Sequence, residues 1–134
     1  MSEQDGKRFI DPEALSPPAG YSHVVEAPPG RLVYISGQGP IDRSGALVGA
    51  GDIEAQTRQV FENLSAALVA AGASWSDVVK LGYFLVDVGD LATVRAIRDE
   101  YVDTELPPAS TLVEVSRLFR EDVLIEVEAI AVKG

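Results

Sequence analysis

Hydrophobic positions along the chain switch twice between strand-like alternation and helical spacing. "YSHVVEA" and "RLVYISGQ" flank "PPG", which predicts a β-hairpin turning at Gly30. Asp52 is a suitable N-cap, after which Val60, Leu64, Ala67, Leu68 and Ala71 recur at helical spacing until Gly72 supplies a stop. On that helix Gln56, Gln59, Glu62 and Asn63 fall on the wet side. Ser74 and Asp77 have the spacing of a short capped turn. "VVKLGYFLVDV" reads as an apolar strand, and Asp90 can cap a second helix. Leu91, Val94, Ile97 and Tyr101 form its inward stripe, while Arg95, Arg98 and Asp99 point outward. "TELPP" ends that helix, and "ASTLVEV" and "IEVEAIAV" read as two closing strands. The order ββαβαββ predicts an α+β fold in which two helices cover one face of a mixed sheet. Pro12, Pro17, Pro18 and Gly20 predict an irregular arm over residues 1–20, ahead of one domain over 21–134.

The closing strands carry acidic residues inside their alternation. Leu124, Glu126, Glu128 and Ile130 share one face, and Ile125, Val127, Ala129 and Ala131 the other. The wholly apolar set suits the helices. In "ASTLVEV", Thr111, Val113 and Val115 make a β-branched face, with Ser110, Leu112 and Glu114 on the mixed one. A sheet face of Leu, Ile and several Glu is too apolar for bulk water and too polar for a monomer core, so it suits an interface between subunits. The alternative is an open face whose carboxylates are solvated.

Composition narrows the chemistry. The chain has 134 residues, 46% hydrophobic and 24% charged, enough for one globular core. No apolar run is long enough to cross a membrane, and the first residues lack the apolar stretch of a signal peptide, so a cytoplasmic location is expected. Eleven basic against 21 acidic residues give a charge of −10, which opposes nucleic acid as a partner. There is no cysteine and a single histidine, His23. That excludes Cys-based and multi-His metal sites and leaves carboxylates, Tyr or Ser hydroxyls, Arg, Lys, backbone groups and water as the chemical repertoire. The Gly-rich stretch "GPIDRSGALVGAGD" is long for a connection; it is a candidate functional loop or a plain crossover, and it lacks phosphate-loop spacing.

"YISGQGPID", "QTRQVFENLSAALVAAGASWSDVVKLGYFLVD" and "PASTLVEVSRL…IEVEAIAV" together resemble the Rid (YjgF) family, also known as L-PSP endoribonuclease-like proteins. The resemblance runs from about Tyr21 to Lys133. It implies a chorismate-mutase-like fold and a homotrimer whose sheets form a central barrel, with small-molecule clefts between subunits. In the deaminase branch these clefts hydrolyse reactive enamines or imines such as 2-aminoacrylate to a keto acid and ammonia, without a cofactor. Position by position, Glu126 takes the water-activating place and Tyr21 that of a cleft-lining tyrosine. Ser36, Gly37 and Gln38 match the "SGQ" loop, and Phe84 matches an aromatic of the central strand.

One position departs. Where the deaminase motif carries the Arg that pairs with the substrate carboxylate, this chain has Ser110, and it has Leu112 where many members carry Cys. A hydroxyl is one neutral donor, whereas guanidinium makes a bidentate, charge-assisted pair. Arg43, in the Gly-rich loop, is a candidate replacement, while Arg117 has the wrong strand parity. The leading functional reading is a deaminase-like hydrolase acting without metal on small enamines or imines. The alternative is a non-catalytic trimer that binds a neutral or apolar metabolite in the same cleft. An endoribonuclease conflicts with the net charge and the lack of a histidine pair.

Overall fold

The computed structural model describes residues 2–134. Of the arm expected over residues 1–20, only residues 11–20 are irregular among those described. Strands β1 (Ser2–Gln4) and β2 (Lys7–Ile10) form an antiparallel hairpin around Asp5 and Gly6, whose φ angles of 53° and 78° are those of an Asp-Gly turn. Phe9, only 4% exposed, anchors it. The prolines begin only after this hairpin, so they punctuate its exit and leave its pairing intact.

Strand β3 (Val24–Glu26) adds to β2, with Phe9 opposite Val25. The hairpin expected at Gly30 is therefore absent. β3 and β4 (Arg31–Gln38) belong to different sheets. Pro28 and Pro29 have no N–H to contribute to a ladder. Gly30 serves close approach instead, since a β-carbon there would stand 2.6 Å from the Lys133 carbonyl oxygen.

The main sheet also contains β5 (Val78–Leu85), β6 (Ala109–Glu114) and β7 (Ile125–Lys133), in the order β4-β7-β5-β6. It is mixed, as expected: β5 and β6 run parallel, and the other pairs are antiparallel. Helices α1 (Ile53–Ala70) and α2 (Leu91–Arg98) bury Val60, Phe61, Leu64, Val94 and Ile97 in one core with Leu81, Leu85, Val127, Ala129 and Ala131 of the sheet. Phe61 stacks on Trp75 and Tyr101, with ring centroids 5.6 and 5.1 Å away. No helix among the described residues is long and apolar enough to cross a membrane.

Local signals behave as their chemistry requires, with three corrections. Asp52 accepts from Ala55 N at 3.1 Å and Gly72 ends α1 with φ of 73°, while Ser74 N donates to Asp77 at 2.9 Å. Asp90, however, makes no side-chain cap; Asp87 caps the turn before α2, accepting from Gly89 N at 2.8 Å. Gln56 is not on the wet side but fully buried. Its amide donates to the Gly49 and Asp122 carbonyls and accepts from Leu124 N, satisfying backbone that has no ladder partner. Arg98, expected outside, is 9% exposed. Its guanidinium donates to Asp99 Oδ1 at 2.8 and 3.1 Å and lies against Gly20, where a β-carbon would stand 2.9 Å from Nη2.

Candidate functional site

The register of the main sheet decides which candidate residues share a face. Phe84 pairs with Glu126, and Gly82 with Glu128, so these residues lie on the face away from the helices. Both carboxylates grow over glycines. A β-carbon on Gly82 would stand 2.9 Å from Glu128 Cγ, and one on Gly37 would stand 2.0 Å from Glu126 Oε1. Gly37 sits in a bulge of β4, between the pairs Ile35–Ala129 and Gln38–Val127, where two residues oppose one on β7. Ser36 is exposed beside it, and the Gln38 amide folds back to donate to the Ser36 carbonyl at 3.0 Å.

This face is apolar as well as acidic. Leu32 is 60% exposed and Tyr34 70%. Partial burial pushes the Glu126 carboxyl above its usual range, and the charge of Glu128 adds to the effect. A carboxylate held this way is a better proton acceptor than a free one.

The second group of candidates lies across the sheet. Leu81 pairs with Ser110 and Tyr83 with Leu112, which puts Ser110 and Leu112 on the helix side. There a small cleft opens between α2 and the edge strand β6. Ser110 and Tyr83 form part of its floor, Arg95 and Arg98 reach it from α2, and Tyr21 closes one side. Tyr21 is held there by its neighbour: Ser22 bridges to Ala109, and its hydroxyl donates to the Pro107 carbonyl at 2.5 Å. His23 makes an edge-on contact with the Tyr21 ring at 5.3 Å and meets the Ser16 carbonyl through Nε2.

The seven predicted site residues thus fall into two sets. Glu126, Gly37, Ser36 and Phe84 gather at the open face, with Gln38 at the end of the β4 bulge; Tyr21 and Ser110 gather in the cleft. Glu114 joins neither carboxylate. It pairs with Leu85 and accepts from Val88 N at 2.9 Å. The mixed face read for "ASTLVEV" is consequently the helix side, and Thr111 and Val113 share the face of Glu126, because the parallel register with β5 fixes the parity of β6.

Arg43 and Arg117 are both exposed and neither lines the cleft. Arg95, Arg98 and Tyr83 do line it and were missed. Arg95 and Arg98 were legible only as helix exterior, and Tyr83 as core. The Tyr83 hydroxyl is buried without a hydrogen-bond partner among the described residues. Burial pushes its phenol well above the usual value, and the nearby Arg98 and Arg95 oppose that rise. Among the described residues no cluster of three or more His, Cys, Asp or Glu side chains is placed to hold a metal ion.

The profile of the Endoribonuclease L-PSP family matches residues 12–133. The chain belongs to this family. Among its relatives in the L-PSP family, a RutC family protein of Pyrococcus horikoshii is 46% identical over 128 residues, covering 95% of this chain and 98% of that one. The 2-iminobutanoate/2-iminopropanoate deaminase of Salmonella typhimurium is 44% identical over 107 residues, 78% of this chain and 81% of its own. In structure, this L-PSP family chain superposes on a conserved Rid family protein from Yersinia pestis with a TM-score of 0.86. That pair is 38% identical, over 96% of this chain and 99% of the other. The α+β fold and the Rid resemblance both stand. The β1–β2 hairpin precedes the matched residues.

Proposed function

We propose that this protein is a trimeric hydrolase of small reactive imines or enamines, its site completed between subunits. One observation carries this reading: the residues of the family motifs lie on opposite sides of one sheet, in the Ser110 cleft and around Glu126. No side-chain movement within a protomer joins two faces of a sheet, whereas a neighbouring copy brings one protomer's Glu126 to another's cleft. The exposed Leu32 and Tyr34 support such packing, because an apolar patch of this kind is unusual on a monomer. The Salmonella relative named as an imine deaminase supports the chemistry.

In this mechanism the Glu126 carboxylate takes a proton from water as the water oxygen bonds to the imine carbon. The C=N π pair moves to nitrogen, which receives that proton from Glu126, giving a neutral carbinolamine. Glu126 then takes the carbinolamine hydroxyl proton and passes it to nitrogen as the C=O bond forms and the C–N bond breaks, and a carbonyl product and ammonia leave. Hydroxyl donors such as Ser36 and Ser110 orient substrate and stabilise developing charge. The ribonuclease activity in the family's name is disfavoured by the charge of −10, which repels phosphate.

The test is ammonia release from imines generated in place from amino acids, in wild type and Glu126→Gln. The carboxamide keeps the shape and removes the base, so turnover should fall to background while assembly persists. Wild type without turnover of acidic or neutral imines would leave the non-catalytic binding protein in its place.

A further inference from the structure

We infer that helix α2 supplies the cation missing from β6, so that Arg95, seconded by Arg98, makes the Ser110 cleft selective for small carboxylates. The inference rests on the reading of this cleft as the substrate-binding half of the proposed site.

Positions 95 and 98 are one turn apart on α2, which brings both guanidiniums to the same side of the helix. Their circumstances differ. Arg98 is buried and committed to Asp99 through Nε and Nη2. Arg95 is half-buried and lines the cleft, and its guanidinium has no ion pair or hydrogen bond among the described residues. An isolated half-buried guanidinium loses hydration without compensation, which a bound anion restores.

The surroundings point the same way. The chain carries 21 acidic residues, yet none lines this cleft. Asp99, the counter-ion of Arg98, lies outside the lining, so both charges of the cleft are positive. Tyr83 lines the same space as Ser110, with its buried hydroxyl interacting with Arg98. Planar guanidinium and two hydroxyls are the donor set that two carboxylate oxygens require. Leu91, Val94 and Leu112 make the rest of the lining apolar, which suits a short aliphatic tail beside the carboxylate. The ligand class is thus a small monocarboxylate, with the imine carbon held toward the mouth of the cleft.

Calorimetric titration of the assembled protein with 2-oxobutanoate and with its neutral analogue 2-oxobutanamide tests this directly. Wild type should favour the anion by about ten- to a hundredfold, the range for a hydrogen-bonded charge. Arg95→Gln should erase that preference while retaining amide binding and the melting temperature, and Arg95→Lys should restore part of it. Ser110→Arg in the Arg95→Gln background should return it fully. Equal affinity for both probes in wild type, binding of neither, or a preference that survives Arg95→Gln would each overturn the inference. Turnover separates the two readings. Anion preference without ammonia release sinks the deaminase and keeps the carboxylate site; release from acidic and neutral imines alike does the reverse.

Discussion

Gly37 and Glu126 occupy one space: a β-carbon on the glycine would stand 2.0 Å from the carboxylate's Oε1. The bulge in β4 brings bare backbone to the place where Glu126 folds over the sheet. A glycine in a strand usually weakens it, so its presence here marks an approach that no side chain permits.

Gly37→Ala should therefore displace the Glu126 carboxylate. A shift of about 1 Å in a reacting group lowers turnover by roughly a hundredfold, and that is the expected loss in kcat for imine hydrolysis. Circular dichroism should show the fold retained. Undiminished turnover in a folded variant would remove Glu126 from the mechanism.

The pH dependence follows from the direction of the Glu126 shift. Burial first, and Glu128 second, raise its pKa above 4.5, so the active carboxylate is lost already at a pH above that value. The acidic limb of kcat should move to lower pH in Glu128→Gln, which removes one of the two causes. For stability the sign reverses. A raised carboxyl favours the fold fully below its unfolded pKa, and that contribution is lost as pH rises through the folded value. Glu126→Gln should accordingly raise the melting temperature at neutral pH and leave it unchanged below 4.5. A limb that Glu128→Gln leaves in place would show that another group controls it.

Assembly is tested at Tyr34, 70% exposed and opposite Ile130 on the acidic face. Light scattering should give about three chains for wild type, as a closed cyclic assembly requires. Tyr34→Asp adds a third carboxylate to that face and should yield folded monomers that release no ammonia. Wild type that is monomeric at micromolar concentration, or a monomeric variant that keeps full turnover, would refute completion of the site between subunits.

Gln56 joins α1 to two loops through three backbone contacts of 2.8 to 3.1 Å. Gln56→Ala removes the side-chain partner of the Asp122 carbonyl and of the Leu124 N–H, while the Gly49 carbonyl keeps Asp52 N, an expected loss of about 1–3 kcal/mol in chemical denaturation. An unchanged midpoint would mean that water reaches the site.

Much of this fold could be read from short-range chemistry. Asp52 and Gly72 mark the ends of α1, and the apolar parity of Val127, Ala129 and Ala131 identifies the helix side of β7. Three features were not legible because they depend on partners distant in sequence. Gln56 reads as a wet-side amide until the loops at Gly49 and Asp122 meet it. Arg98 reads as helix exterior until the N-terminal segment at Gly20 covers it. Both parities of β6 mix apolar and polar residues, so only pairing with β5 reveals that Ser110 and Glu126 face opposite ways. The strands that carry the candidate residues were recognisable; the opposite faces on which those residues lie were not.

The strand order carries a consequence for biosynthesis. β7 follows β4, β5 and β6 in the chain, lies between β4 and β5, and among the described residues is the sole ladder partner of β4. Until β7 is made, β4 has no partner in the main sheet, and the helices lack the Ile125, Val127, Ala129 and Ala131 side chains of their core. Pairing across nearly the whole chain is slow to form. The four-stranded sheet therefore closes only when Ile125–Lys133 joins it, and this long-range pairing is the slow step expected in folding.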